Sequence, residues 1–279
     1  MRFRLGLSAF YAASCLLLLG AASSYDDSIR AWQKHRDEGL RAPDSWLTLV
    51  GLQWLKAGDN TVSGFGRLRL EGAKLVFTKD GVAGVTVNNK PVTAPVPLSY
   101  DDENPDVVRS GSLSFYVIRR SDKLGVRIKD SNSPNLKHFT GLQYFPIDPA
   151  LHFANARLIS DPKKIPILNI VGQTDLEDSP GPVEFTYQGR AYRLRPIYEG
   201  KTLFFLFKDL TNKADTYQAG RMLNADLPVD GKVDLDFNRA YNPPCTFTPY
   251  ATCPLPPKEN TLSFAVAAGE MRYGNGHVE

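Results

Sequence analysis

The sequence is poor in the side chains on which most catalytic chemistry depends. It has four histidines and three cysteines in 279 residues. It contains no G-x-S-x-G nucleophile elbow, no H-E-x-x-H pair and no Walker loop, so the enzyme classes that carry those signatures are not indicated. Gly64-Phe-Gly66 begins like a dinucleotide fingerprint, but Arg69 stands where the third glycine belongs. The strand before it and the helix after it are also missing. No long run of one charge sign occurs, so neither nucleic acid nor an anionic membrane surface is indicated as a partner. There is no internal repeat, no low-complexity linker and no second long apolar run.

The one long apolar run lies at the start. Arg2 and Arg4 precede Leu5 to Leu19, the small residues Gly20 to Ser24 follow, and Asp26 and Asp27 close the segment. That is the order of a secretory signal peptide. At about fifteen residues the run is shorter than the roughly twenty a membrane-spanning helix needs. Residues 1–24 are therefore expected to be removed and the chain exported, to the periplasm or outside the cell, with no stable membrane span left. An uncleaved N-terminal anchor is the rival reading. Loss of Arg2 and Arg4 lowers the net charge from +3 to about +1.

Residues 25 to 40 carry the one clear helical pattern. Asp27 or Ser28 can cap it, Ile29, Trp32 and Leu40 form a sparse apolar stripe, and Pro43 follows its end. Ser45 to Leu55 is apolar nearly throughout and is expected to be buried, as a short helix or a strand. From Thr61 onward, short β-branched and aromatic runs alternate with Gly, Asn, Asp and Pro. Strands are predicted at Arg67–Leu70, Lys74–Thr78, Val85–Val87, Leu113–Arg119, Gly125–Lys129, Phe153–Ile159 and Ile165–Ile170. Others are predicted at Thr202–Lys208, Thr216–Leu223, Val233–Phe237 and Leu262–Val266. Val183–Tyr187 and Arg190–Ile197, joined by Gln188-Gly189, read as a hairpin. Asp101–Asp106 and Gln173–Pro182 read as polar loops. The fold class is mainly β, α+β at most. Residues 25–279 are expected to form one β-rich domain, a sandwich or barrel of short antiparallel strands with an N-terminal helix.

Candidate chemistry is sparse. His35 falls in the helix and His277 in the C-terminal tail, which leaves His138 and His152 as acid–base candidates. A structural histidine is the plainer reading of each. Asp234-Leu-Asp236-Phe-Asn238 spaces oxygen ligands like a calcium loop, but Arg239 and Cys245 occupy the places of the required glycine and glutamate. No metal is predicted, and nothing in the sequence names a cofactor. On a strand, Val233, Leu235 and Phe237 would face one side and Asp234, Asp236 and Asn238 the other. The plain reading is a solvated sheet face; the sharper one is a polar pocket with arginine partners. Tyr217, Ala219 and Arg221 would share a face if their segment is extended. Gly220 leaves room for a close approach, and the arginine fork suits carboxylate or phosphate. Arg127 and Asp130 fit the same pattern, with a charged strand end as the plainer alternative.

Asp236–Pro257 concentrates six prolines and two cysteines in twenty-two positions. Prolines at that density forbid a helix and an ordinary strand. Cys245 and Cys253 are the only cysteines after residue 24, and two cysteines in an exported chain most often pair. A disulfide would close a loop of about nine residues, worth roughly 2.5 kcal/mol. Such stiffening would hold Tyr241, Asn242 and Tyr250 in place, or cover a sheet edge.

This segment, continuing through Lys258-Glu-Asn260 to Ala268-Gly-Glu270, resembles the signature of DUF1684, a bacterial and archaeal domain family of unknown function. Trp46-Leu-Thr-Leu-Val-Gly51 with Trp54-Leu55 resembles its N-terminal block. Arg127-Ile-Lys-Asp130 through Pro134, Gly141-Leu142 and Tyr144-Phe-Pro146 resemble its middle block, and Phe207-Lys-Asp209, Thr216-Tyr217 and Gly220-Arg221 its third. The resemblance spans nearly all of residues 25–279 and implies no activity. Family members that look cytosolic carry the same cysteine pair, which implies a dithiol or metal-binding role as an alternative to a disulfide. A zinc site would need two further ligands. The resemblance places no family histidine at His138 or His152.

The expected function is binding of a small polar or anionic molecule in a pocket. Arg127, Asp209, Tyr217, Arg221, Asp236, Asn238, Arg239, Tyr241 and Asn242 are placed in or near it. A hydrolase using Asp236 or Asp209 as general base, with Arg221 stabilising negative charge, is the alternative. A structural envelope protein without ligand is the third reading.

Overall fold

The computed structural model describes residues 8–101 and 104–274, with side chains from Tyr25 onward. Arg2 and Arg4 of the expected signal peptide, and His277, lie outside the described residues. Every pairing between named strands is antiparallel. The first two sheets share one core. A six-stranded sheet runs in the order Leu49–Trp54, Lys123–Asp130, Leu113–Arg120, Val108–Ser110, Thr86–Val87 and Lys90–Pro91. A four-stranded sheet holds Gly58–Val62, Gly66–Glu71, Lys74–Thr78 and Val96–Pro97. Between them Phe65 and Phe77 meet Phe115 edge to face, at centroid distances of 4.8 and 5.8 Å.

The second half has its own core. A four-stranded sheet orders Arg190–Leu194, Val183–Tyr187, His152–Leu158 and Lys232–Asp236. A three-stranded sheet holds Ile197–Glu199, Thr202–Phe207 and Arg221–Asp226. Phe205, Phe207, Leu235 and Phe237 are fully buried between these layers. Each strand order is open, so the sheets stack without closing into a barrel. The expected hairpin forms with Tyr187 opposite Arg190. Gln188 (φ 48°) and Gly189 (φ 75°) are both left-handed, as a two-residue type I′ turn requires.

Three expectations are corrected. Thr174–Ser179, inside the expected polar loop, is a strand paired with Lys163–Leu168. Its charges hid it, and they serve the ribbon through cross-strand contacts such as Lys164 Nζ to Asp178 Oδ2 at 2.9 Å. Leu262–Val266 is irregular; the Leu262 amide donates to the Lys208 carbonyl and the Val266 amide to Asp209 Oδ1. Thr216–Leu223 becomes a strand only at Arg221. Before it the Gly220 amide turns back onto the Tyr217 carbonyl at 3.1 Å. Gly220 itself is required there. Its φ is 112°, and a Cβ would lie 2.6 Å from the Phe207 carbonyl oxygen.

The long helix, Ser8–Arg41, contains the predicted residues 25–40. Ile29 and Leu40 are buried, and Arg36 falls on the same face, four residues from each of Trp32 and Leu40. Several contacts seat the helix on the second half, three of them between Gln33 and Asp37. Arg36 Nε donates to Glu270 Oε1 at 2.7 Å, the Leu142 amide donates to Asp37 Oδ1, and the Tyr144 hydroxyl donates to the Gln33 carbonyl. Among the described residues no helix is long and apolar enough to cross a membrane.

Candidate ligand-binding cleft

The proline-rich stretch is a frame held by side chains where no β-ladder is available. It contains two one-turn helices, Phe237–Arg239 and Pro244–Thr246, and isolated bridges of Tyr241 to Met222 and Pro254 to Asn169. Glu270, fully buried, accepts from the Asn242 amide and Nδ2 at 2.8 and 3.0 Å on one oxygen and from Arg36 on the other. The Arg36 guanidinium lies 4.8 Å over the Tyr241 ring. Asn260 accepts from the Arg195 amide and donates to the Arg195 and Leu206 carbonyls, so one side chain satisfies three backbone groups. Cys245 and Cys253 are free, buried thiols, with the Cys245 amide donating to Cys253 Sγ at 3.0 Å. Hydrogen bonding to Cys253 pulls the Cys245 thiol below its usual value, whereas burial pushes Cys253 well above it.

Arg221 and Asp209, read from the sequence as ligand-facing, form a sealed pair instead. Both side chains are fully buried, and Arg221 Nη2 donates to Asp209 Oδ2 at 2.9 Å. Arg221 also donates to the Ala268 and Val266 carbonyls. Asp209 Oδ1 accepts from the Thr211 amide, the Thr211 hydroxyl and the Val266 amide. Burial pulls the Arg221 guanidinium below its usual value, and Asp209 works against that shift. So enclosed, the Asp209 carboxylate spends both oxygens on these partners.

An open cleft of about 1110 Å³ lies between the first-half sheet, the helix and the second-half strands. Arg120 and Arg127 reach it from the face of the six-stranded sheet that points away from Phe115. Arg127 Nη2 and Arg120 Nε each donate to Thr252 Oγ1 at 3.0 Å, so two guanidinium groups converge on one hydroxyl. Arg127 is 5% exposed, its Nη1 is 3.4 Å from the Tyr116 hydroxyl, and it stacks 5.1 Å over Trp46. Among the described residues its Nε, like that of Arg221, has no hydrogen-bond partner.

The three-stranded sheet supplies a different surface. Pairing sets Ile197 beside Phe204 and Phe204 beside Asn224, while Glu199 and Asp226 both lie opposite Thr202. All of these line the cleft. Asn224 Nδ2 donates to Glu199 Oε2 at 2.8 Å, and the Tyr241 hydroxyl donates to Asn224 Oδ1 at 2.5 Å. Asp234 and Asp236 also line the cleft. Asp234 Oδ1 is 2.5 Å from His152 Nε2, and the Tyr25 hydroxyl donates to Asp236 Oδ1 at 3.0 Å. Tyr25 stacks on the His152 ring at 5.0 Å, and burial followed by the Asp236 charge pushes its phenol up.

Of the residues singled out in the sequence, the cleft brings together Arg127, Asp236, Arg239 and Tyr241. Val233, Leu235 and Phe237 do share the core face as the alternation requires, but Asp236 and Asn238 are not solvated. Asp236 caps the Phe237–Arg239 turn, and Asn238 Nδ2 donates to the Asp148 carbonyl and the Tyr25 hydroxyl. Asn242 is committed to Glu270 and the Met271 carbonyl. Tyr217 is buried against Cys245. Asn238, Asn242 and Tyr217 hold the frame rather than line the cleft, whereas Asp236 does both. His138 ends the short Pro134–Lys137 helix. Arg36, Arg120, Glu199, Asn224 and Thr252 are cleft residues the sequence reading passed over. Only Arg36 carried a signal, its place on the apolar stripe. Among the described residues no group of three or more His, Cys, Asp or Glu could hold a metal ion.

A family model described as "Protein of unknown function (DUF1684)" matches residues 137–271. The match takes in the whole proline-rich frame, whereas Arg127 and the Trp46–Leu55 block precede it. An uncharacterized protein of Haloarcula marismortui, solved in solution by NMR, is similar at 31% identity over 48% of this chain and 78% of that one, with a TM-score of 0.40. No curated protein matches the chain. On its own sequence, the chain belongs to the DUF1684 family.

Proposed function

We propose that the cleft binds a small anionic molecule and that Arg127 is its main counter-charge. The supporting observation is an imbalance. Three arginines are buried among the described residues. Arg195 has Asp161 at 2.6 Å and Glu259 at 3.1 Å, and Arg221 has Asp209 at 2.9 Å. Arg127 has no carboxylate within 4.0 Å among the described residues. A buried cation without a counter-ion costs several kcal/mol, and an anion entering from the cleft would offset that cost. The guanidinium fork suits carboxylate or phosphate, and Arg120 held beside it adds a second positive charge.

The test is thermal shift and calorimetry at low ionic strength with phosphate, sulfate and simple carboxylates. At least one should raise the melting temperature of the natural protein, and the rise should vanish in Arg127→Met. A natural protein indifferent to every anion class would end the proposal.

The same reading includes export. The order of residues 1–24 supports it, and the mass of the protein recovered from the periplasm or medium tests it. In an oxidising compartment Cys245 and Cys253, already in contact, would pair by thiol–disulfide exchange, giving up two protons and passing two electrons to a disulfide oxidant that is reduced to two thiols. A full-length chain kept in the cytosol would contradict export.

A further inference from the structure

We infer that the ligand is a hydroxylated anion, such as a sugar phosphate or sugar acid, rather than a bare oxyanion. This rests on the anion-binding reading above. The cleft volume of about 1110 Å³ is at the upper end of small-molecule sites, many times what phosphate fills. The space beyond Arg127 is therefore lined for the rest of a molecule, and its chemistry is specific.

The second surface repels anions. Glu199 and Asp226 lie on the same sheet face, across Thr202. Asp226 is exposed, and beyond its ladder pairing with Thr202 its carboxylate makes no hydrogen bond or ion pair among the described residues. Glu199 uses Oε2 to accept from Asn224. Carboxylate lone pairs of this kind accept hydrogen bonds from hydroxyls or amines. Those donors must belong to the part of the ligand remote from its negative charge. Asn224, Thr202 and Tyr241 donate to Glu199 Oε2, the Glu199 carbonyl and Asn224 Oδ1, respectively. That leaves the lone pairs of the two hydroxyl oxygens and the second Asn224 N–H, 3.5 Å from Thr202 Oγ1, for a ligand hydroxyl that can both donate and accept. An ammonium group can only donate, so it would leave that N–H unused. Ile197 and Phe204, adjacent on the same face, give the apolar patch against which the C–H face of a ring packs. An acidic cluster alone would say nothing. The buried Arg127, which lines the same cleft and has no carboxylate within 4.0 Å among the described residues, is the independent sign that a molecule belongs there.

The experiment measures affinities of the full exported chain for five probes: inorganic phosphate, glucose, glucose 6-phosphate, glucuronate and phosphoethanolamine. The expected result is that glucose 6-phosphate or glucuronate binds at least about tenfold more tightly than phosphate, a difference near 1.4 kcal/mol. Glucose alone should bind far more weakly than either. Whichever of the two wins tells phosphate from carboxylate as the anionic group. Asp226→Asn and Glu199→Gln should shrink the ratio of sugar-phosphate to phosphate affinity, because they weaken the hydroxyl contacts and relieve repulsion of the anion. Equal affinity for phosphate and both sugar anions, with Arg127 still required, would overturn this inference and leave the anion site standing. Phosphoethanolamine binding more tightly than the sugar anions would overturn it in favour of an amine. No binding of any anion would remove both.

Discussion

Arg221 and Arg127 are buried almost equally, at 1% and 5% exposed, yet their surroundings are opposite. Arg221 is enclosed by its own chain: a carboxylate at 2.9 Å and the Ala268 and Val266 carbonyls. Arg127 meets a hydroxyl, a phenol and an indole face, and it lines an open space. Depth of burial therefore does not say whether an arginine has its counter-charge within the chain. What distinguishes these two is whether the fold supplies it. Arg221 lies inside the residues matched by the family model and Arg127 outside them, so the closed pair belongs to the matched frame and the open cation to the half before it.

The largest effect should come from opening the closed pair. Asp209→Asn leaves Arg221 buried without its anion, and such breaks cost about 3–5 kcal/mol. Urea denaturation should show that loss, and replacing both partners with well-packed apolar residues should recover much of it. If Asp209→Asn costs less than about 1 kcal/mol, the contrast between the two arginines fails at its firmer end.

Next is the buried carboxylate that ties the helix to the frame. Glu270→Gln removes the charge from a group that accepts from Arg36 and Asn242. A charge-assisted hydrogen bond contributes about 1.5–3 kcal/mol, so a loss of that order is expected. Hydrogen exchange should locate it, with faster exchange in residues 25–41 than in the first-half sheets. Uniform acceleration would mean that the helix is not separately attached.

Arg127→Met should do the reverse of Asp209→Asn. Without ligand, stability should hold or rise, because an uncompensated buried charge is replaced by an apolar side chain of similar length. Equilibrium unfolding in anion-free buffer checks this. A loss of 3 kcal/mol or more would make Arg127 a structural residue like Arg221 and remove the basis for the cleft.

How far the sequence revealed this arrangement follows from range. Local rules located most of the longer strands, and the Gln188-Gly189 hairpin was legible because its turn needs two left-handed residues in a row. The β-rich class followed from the same short periods. Thr174–Ser179 was illegible because its sequence is mostly polar, and one of its charges, Asp178, pairs with Lys164 across the ribbon. The site was half legible. Asp236, Arg239 and Tyr241 stand in the proline-rich motif, but the same motif contains Asn238 and Asn242, which serve the frame. No local pattern separates the two sets, because the distinction depends on Glu270, Asp148 and Tyr25, between 28 and 213 positions away. Thr252, which gathers Arg120 and Arg127 from over 120 positions upstream, carried no signal at all.

The smallest effect should be a pH dependence at the cleft rim. Burial, and then the charges of Asp175 and Asp178, push the Glu177 carboxyl above its usual range, while Lys164 and Arg120 pull it down. A carboxyl raised in the folded state binds more protons folded than unfolded, so ionising it disfavours folding. Stability should therefore decline as pH rises from the ordinary carboxylate value, about 4.3, through the raised one. Over the same interval ionised Glu177 competes with an incoming anion for Arg120, so anion affinity should fall as well. Glu177→Gln should flatten both profiles while leaving affinity at low pH near that of the natural protein, where Glu177 is already neutral. Parallel profiles for the two proteins would show that Glu177 does not act on the cleft, and that the open cation works without a competing carboxylate.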